Sequence, residues 1–294
     1  MFSPGSRAGL VAALISAVAF GVNIVGAKLT AGAGISAPLL VFYRTLVMLL
    51  LVGAALLLFQ RKPTISRNAW IATATLGATS AAMGLAYLSS VAFIPVTVAA
   101  VIFYTYPILI VLVSPWATGV PLRPQHLLIA LVAFIGVSLV VGPGLGALDW
   151  RGLALALAAS VMTTSQFLVA NRVAKESTLA KLFWVQLIVA GVSAIAASSF
   201  GALAGPASLA AEPVGVAITL VGYVIGSAGL IYALSRLSAV IAGLVFCLEP
   251  VVSAIASALI LDETMNAVQY AGGALVLIAV ACAMLAPANK GAPV

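Results

Sequence analysis

The sequence predicts an all-α integral membrane protein, with ten transmembrane helices arranged as two inverted five-helix repeats. Three observations predict it. Hydrophobic residues make up 64% of the 294-residue chain and charged residues only 6%, whereas a soluble domain carries about 25% charged residues. The apolar residues fall into runs long enough to cross a hydrocarbon core, which takes about 20 residues per helix. Motifs in the first half also recur at one constant interval in the second.

Cutting the chain at polar, Gly and Pro clusters places the spans at 9–31, 36–59, 68–92, 96–115, 124–142, 151–172, 180–201, 213–235, 239–260 and 266–287. The first follows Arg7 and has the outline of a signal peptide, but nine further spans make it a retained anchor helix. The second carries Arg44 in "FYRTL", and the third the small-residue run "GATSAAMG". "FYTYPILIV" lies in the fourth, and the fifth begins after the basic loop "VPLRPQH". The Gly-rich "GPGLGALDW" reads as the turn into the sixth; it lacks the Lys of a phosphate-binding loop. The seventh contains Gln186 and the eighth a second small-residue run, "GYVIGSAG". "FCLEPVVSA" lies in the ninth, between the short loops "SRLS" and "DETMN", and the tenth completes the set. Such loops leave no room for a soluble domain.

The net charge of +7 is read by location, because basic residues beside a bilayer report orientation rather than nucleic-acid binding. With a cytoplasmic N-terminus, that side collects Arg7, Arg61, Lys62, Arg67, Arg123, Arg172, Lys175, Lys181, Arg236 and Lys290. The opposite side keeps Lys28 and Arg151, together with the acidic Asp149, Glu212, Asp262 and Glu263. Bias in short loops sets topology, so both termini are expected in the cytoplasm.

One interval separates "GLVAAL" from "GLALAL", Phe103 from Phe246 and Pro107 from Pro250. The chain therefore reads as two repeats, 1–145 and 148–290. Five spans per repeat is an odd number, which forces opposite orientations; the loop after the fourth span is basic and its counterpart after the ninth acidic. Inverted repeats are a mark of secondary transporters, whose site lies near the midplane beside interrupted helices. A duplicated scaffold with no transport role is the plainer alternative.

Glu249 lies mid-span, where a charge costs ~2.5–3.5 kcal/mol on insertion scales. It is expected to face a cavity or a partner; the alternative is a protonated packing residue. Pro250 and Pro107 lack an N–H, which frees the carbonyls of Phe246 and Phe103 and predicts a kink at each. Arg44 has two readings, snorkelling toward the interface or pairing with a carboxylate, the substrate's included. Asn23, Gln166 and Gln186 read either as substrate contacts or as interhelical hydrogen bonds. The tyrosines Tyr87, Tyr104, Tyr106, Tyr223 and Tyr232, with Phe103 and Phe246, lie on helices that the repeat symmetry brings together. Cys247 and Cys282 read as packing residues. With His126 the single histidine, no metal-ligand spacing exists, and no cofactor is expected. An enzyme needs a nucleophile with its base, paired carboxylates or a metal, so no catalytic residues are assigned.

"FCLEPVVSAIASALILDETMNAVQYAGGALVLIAV" resembles the C-terminal pattern of the drug/metabolite transporter superfamily, EamA-type, and "FYRTL" resembles the Arg-bearing second helix of that pattern. The first-repeat loop "VPLRPQ" departs from it, standing where many members carry an acidic Gly-Glu loop. Within the superfamily the chain looks most like the YddG-type aromatic amino-acid exporters. That resemblance implies export of amino acids, aromatic and other neutral ones, across a bacterial inner membrane by alternating access, the protein embedded in the bilayer and able to act as a monomer. It implies a central cavity lined by helices 1, 3, 4, 6, 8 and 9, onto which Asn23, Met83, Tyr87, Tyr104, Gln166, Tyr223, Tyr232, Phe246 and Glu249 map. Efflux of hydrophobic or quaternary cations, or of another small metabolite, is the rival reading.

Overall fold

The computed structural model describes residues 4–119, 121–142, 149–199 and 201–285. The expected boundary between the repeats at 145–148, most of the "GPGLGALDW" turn, and Lys290 lie outside these residues. The described chain runs α1 (Pro4–Gly32), α2 (Ala37–Leu58), α3 (Trp70–Ser90), α4 (Val96–Phe103), α5 (Tyr106–Thr118), α6 (Pro124–Val141), α7 (Trp150–Ala170), α8 (Thr178–Ser199), α9 (Pro213–Leu234), α10 (Ala239–Phe246), α11 (Leu248–Ile260) and α12 (Ala267–Leu285). Among the described residues these make ten spans long and apolar enough to cross a membrane, from 18 residues (Pro124–Val141) to 28 (Gly5–Gly32). At 1.5 Å per residue even the shortest reaches about 27 Å, close to the hydrocarbon thickness.

Spans four and nine are each two helices rather than one bent helix. Tyr104 and Thr105 separate α4 from α5, and Cys247 alone separates α10 from α11. Pro107 and Pro250 fall in the first turn of the second half-helix, where the missing N–H is not needed. Side chains help to satisfy the local carbonyls. Thr105 Oγ1 donates to Ile102 O at 2.7 Å, and Cys247 Sγ donates to Gly243 O at 3.7 Å. Irregular backbone at membrane depth is tolerated only with such internal partners.

Packing follows a two-fold exchange. The most extensive contacts join α1 to α9 and α3 to α7, the first span to the eighth and the third to the sixth. Exchanging the repeats turns one of these contacts into the other. The second span packs on the seventh (α2 on α8) and the fifth on the tenth (α6 on α12), so each of these pairs maps onto itself. Small residues set the approach, because between helices in lipid close packing replaces the hydrophobic effect. A Cβ on Gly222 would sit 2.8 Å from Ala19 O, and one on Gly272 would sit 2.6 Å from Gly136 O. Side-chain hydrogen bonds fasten the same seams: Ser16 Oγ donates to Gly226 O at 2.5 Å.

Loop charges expected on one side meet at one end of the bundle. Lys28, at the end of α1, forms an ion pair with Glu263 in the loop after α11. At the other end Ser66 donates through its N–H (3.3 Å) and Oγ (2.5 Å) to Glu176, and Trp184 Nε1 donates to Pro63 O at 2.6 Å. The loop between the second and third spans is thereby tied to the seventh.

Candidate functional site

The two helix breaks are joined directly. Tyr104, in the break between α4 and α5, donates its hydroxyl to Glu249 Oε2 at 3.2 Å. Glu249 is the second residue of α11 and is half-buried. A break in mid-span creates a helix N-terminus at membrane depth, and the unpaired N–H groups there favour negative charge. This explains how a carboxylate is accommodated at that depth. The corresponding position in the first repeat, also in the opening turn of a half-helix, holds Tyr106, only 2% exposed.

A run of aromatic contacts extends from this hydrogen bond. Tyr87 meets Phe103 at 5.3 Å between ring centroids, and Phe103 meets Tyr104 at 5.3 Å and Tyr106 at 5.4 Å. Tyr106 packs on Phe167 (5.6 Å), Phe167 on Phe246 (5.7 Å), Phe246 on Phe20 (6.3 Å) and Phe20 on Tyr223 (6.4 Å). These are edge-to-face and tilted arrangements, which suit the ring quadrupoles. The run crosses spans three, four, six, nine, one and eight. At its far end the Arg44 guanidinium lies 4.6 Å above the Tyr223 ring, and Tyr223 donates its hydroxyl to Gln186 Oε1 at 2.9 Å. Arg44 Nε is buried without a hydrogen-bond partner.

The other expected residues divide into two groups. Asn23 and Gln166, which occupy matching positions in the repeats, act as interhelical donors. Asn23 Nδ2 donates to Thr219 O at 2.6 Å, and Gln166 Nε2 donates to Thr79 O at 3.3 Å. Met83 lies half-buried on α3, one turn before Tyr87. Tyr232 stands apart from the aromatic run: Arg236 covers its ring at 4.8 Å near the end of α9. Two members of the run, Phe20 and Phe167, are apolar rings in apolar helices and carry no sequence signal beyond their place on spans one and six.

The aromatic run is closely packed, Phe246 being 2% and Tyr104 5% exposed. A hollow of about 690 Å³ lies instead between α1 and α9, lined by apolar residues that include Leu14, Ile15, Val18, Val221 and Ile225. Val18 and Val221 are exposed, so this hollow opens on the outer flank of the bundle. Among the described residues no group of three His, Cys, Asp or Glu is placed to hold a metal. What the site offers is one carboxylate, one guanidinium, phenol hydroxyls and ring faces, a set suited to binding rather than to covalent chemistry.

The sequence model of the EamA-like transporter family matches the chain twice, over residues 7–142 and again over 150–285. A solved crystal structure superposes with a TM-score of 0.79 at 22% identity, over 97% of this chain and 99% of that one; the likeness shows a shared fold. No curated protein matches the chain.

Proposed function

The chain belongs to the EamA-like transporter family, and from that premise we propose that it exports amino acids, aromatic and other neutral ones, across a bacterial inner membrane, with both termini in the cytoplasm. The observation that carries the reading is the hydrogen bond from Tyr104 to Glu249, which links the two broken helices beside a wall of rings. Glu249 takes the ammonium of the cargo, displacing the phenol; the rings take its apolar side chain.

The duplication supports alternating access as the mechanism. Across the two repeats α1 lies against α11, so closely that a Cβ on Gly21 would sit 2.8 Å from Glu249 O. At the equivalent contact, between α7 and α5, Thr164 Oγ1 donates to Ser160 O at 2.9 Å and lies 3.5 Å from Tyr106 O. The two contacts are exchanged by the repeat symmetry, so loosening one while tightening the other is the alternation that would expose the site to each side in turn. The helix breaks supply the joints.

Uptake of labelled amino acids into proteoliposomes, with and without a pH gradient, tests the proposal. Phenylalanine and other neutral amino acids are expected to be carried. Glu249→Gln should cut uptake at least about tenfold, the worth of a lost charged hydrogen bond, while leaving the melting temperature in detergent within a few degrees. Unchanged uptake in this variant would assign Glu249 to packing. The rival, efflux of hydrophobic cations, rests on the same carboxylate beside tyrosine rings, a pairing that suits a quaternary ammonium; it wins if a quaternary amine is carried and no amino acid is.

A further inference from the structure

Resting on the amino-acid reading above, we propose that Arg44 is the subsite for the carboxylate of the transported molecule. Arg44 stands in the second turn of α2, and its guanidinium covers the face of Tyr223 on α9 at 4.6 Å. Tyr223 is itself held by Gln186 on α8, its hydroxyl donating at 2.9 Å. Three helices thus fix the plane of the guanidinium, and that plane is left without an anion. Among the described residues the salt bridge is Lys28 with Glu263, and no carboxylate pairs with Arg44. Nε is sealed from solvent with nothing to donate to, while the side chain as a whole is only half-buried. A guanidinium stays charged under all conditions and carries five donors in a rigid fork that matches a carboxylate. Leaving such a charge unpaired at membrane depth is costly, and an arriving carboxylate removes that cost.

The surroundings select the anion. Tyr223 meets Phe20 at 6.4 Å, the ring that continues to Phe246 and the break at Glu249. A ligand on Arg44 therefore has aromatic surface beside it, which fits an apolar or aromatic monocarboxylate. Among the described residues the other interior cation is Lys181, which donates to Ser235 Oγ at 3.2 Å. Ser235 lies twelve residues along α9 from Tyr223, about 18 Å by helix rise. One guanidinium with no second cation beside it matches a carboxylate and not a diphosphate. Arg44 belongs to the first repeat and Glu249 to the second.

Three probes separate the charges: phenylalanine, phenethylamine, which lacks the carboxylate, and phenylpropionate, which lacks the amine. In proteoliposomes, Arg44→Gln should raise the KM for phenylalanine and phenylpropionate about tenfold or more. The KM for phenethylamine should stay within about twofold, since no interaction that Arg44 makes with it is removed. Arg44→Lys keeps the charge but loses the fork, and should recover phenylalanine uptake in part. An unchanged KM for phenylalanine in Arg44→Gln overturns the subsite, as does an equal rise for phenethylamine. Should Arg44→Gln fail to fold, Arg44→Lys decides: the ratio of phenylalanine to phenethylamine KM rises if Arg44 binds the carboxylate, and an unchanged ratio overturns it. A wild-type protein that carries phenethylamine but not phenylalanine sinks the amino-acid reading and this one together. A wild-type protein that carries phenylalanine, with parallel losses in the variant, sinks the subsite alone.

Discussion

The break in the fourth span and the break in the ninth share a design and differ in chemistry. Both begin after a phenylalanine, Phe103 or Phe246, and both carry a proline, Pro107 or Pro250, in the opening turn of the second half. Between these landmarks the copies diverge. Tyr104 stands where the other copy has Cys247, and Tyr106 where it has Glu249. The helix lying against each break diverges too, with Thr164 Oγ1 3.5 Å from Tyr106 O on one side and Gly21 pressed on Glu249 O on the other. Backbone geometry was thus duplicated and kept, because an interrupted helix needs the same proline relief wherever it occurs. The polar groups were not kept in pairs: one copy supplies the phenol donor, the other the carboxylate acceptor. A site assembled this way needs both repeats and cannot be symmetric.

Making the copies alike is the largest perturbation. Tyr106→Glu would place a second carboxylate where the ring is 2% exposed and packed on Phe103 and Phe167. Such a charge costs at least ~2.5–3.5 kcal/mol, and the lost ring packing adds to it. The variant is expected to accumulate poorly in membranes, as measured by detergent-extractable, monodisperse protein; normal yield would mean that the first break also tolerates an anion. Next comes the contact against each break. Gly21→Val overfills a position whose Cβ would meet Val252 Cβ at 2.7 Å, and should cost about 1–3 kcal/mol in stability. Thr164→Ala removes the 2.9 Å bond to Ser160 O together with the 3.5 Å contact to Tyr106 O, and should cost about 0.5–1.5 kcal/mol. Comparable melting temperatures for the two variants would show that the contacts are equally tight. The smallest effect belongs to Tyr104→Phe, which deletes only the donation to Glu249. It is worth under about 1 kcal/mol, a change in transport KM of about fivefold or less, with a smaller shift in melting temperature than Thr164→Ala. A transport loss as large as that of Glu249→Gln would show that the phenol does more than hold the carboxylate.

Much of the site was legible because its members are rare. A carboxylate followed by proline in an apolar run is conspicuous, and so are an arginine and a tyrosine cluster within spans. The rings of Phe20 and Phe167 were not legible, since phenylalanine serves equally well against lipid and against protein. Tyr232 presents the opposite case. Its helix is one that contributes to the run, but it stands near the end of α9, where Arg236 takes its ring. Arg44 was legible as a charge at depth; that it turns onto Tyr223 and leaves Nε unpartnered depends on three helices meeting. Asn23 and Gln166 were identified as polar groups within spans, and only their partner carbonyls on α9 and α3 reveal them as fasteners of the helix seams.

The sequence alone determined the number of spans, the duplication and the location of both breaks. The reason is local: in hydrocarbon every backbone group must find its partner within its own helix, so apolar runs and prolines settle the secondary structure without reference to anything distant. The tertiary structure decided which face of each helix turns inward, and hence that Tyr104 reaches Glu249 and Arg44 reaches Tyr223. Lipid and protein interior are equally apolar, so hydrophobicity cannot mark the inner face. Close packing through Gly222, Gly226 and the Gly136–Gly272 contact sets each helix's rotation about its axis, and that rotation is a property of pairs of helices, not of either strand of sequence read by itself.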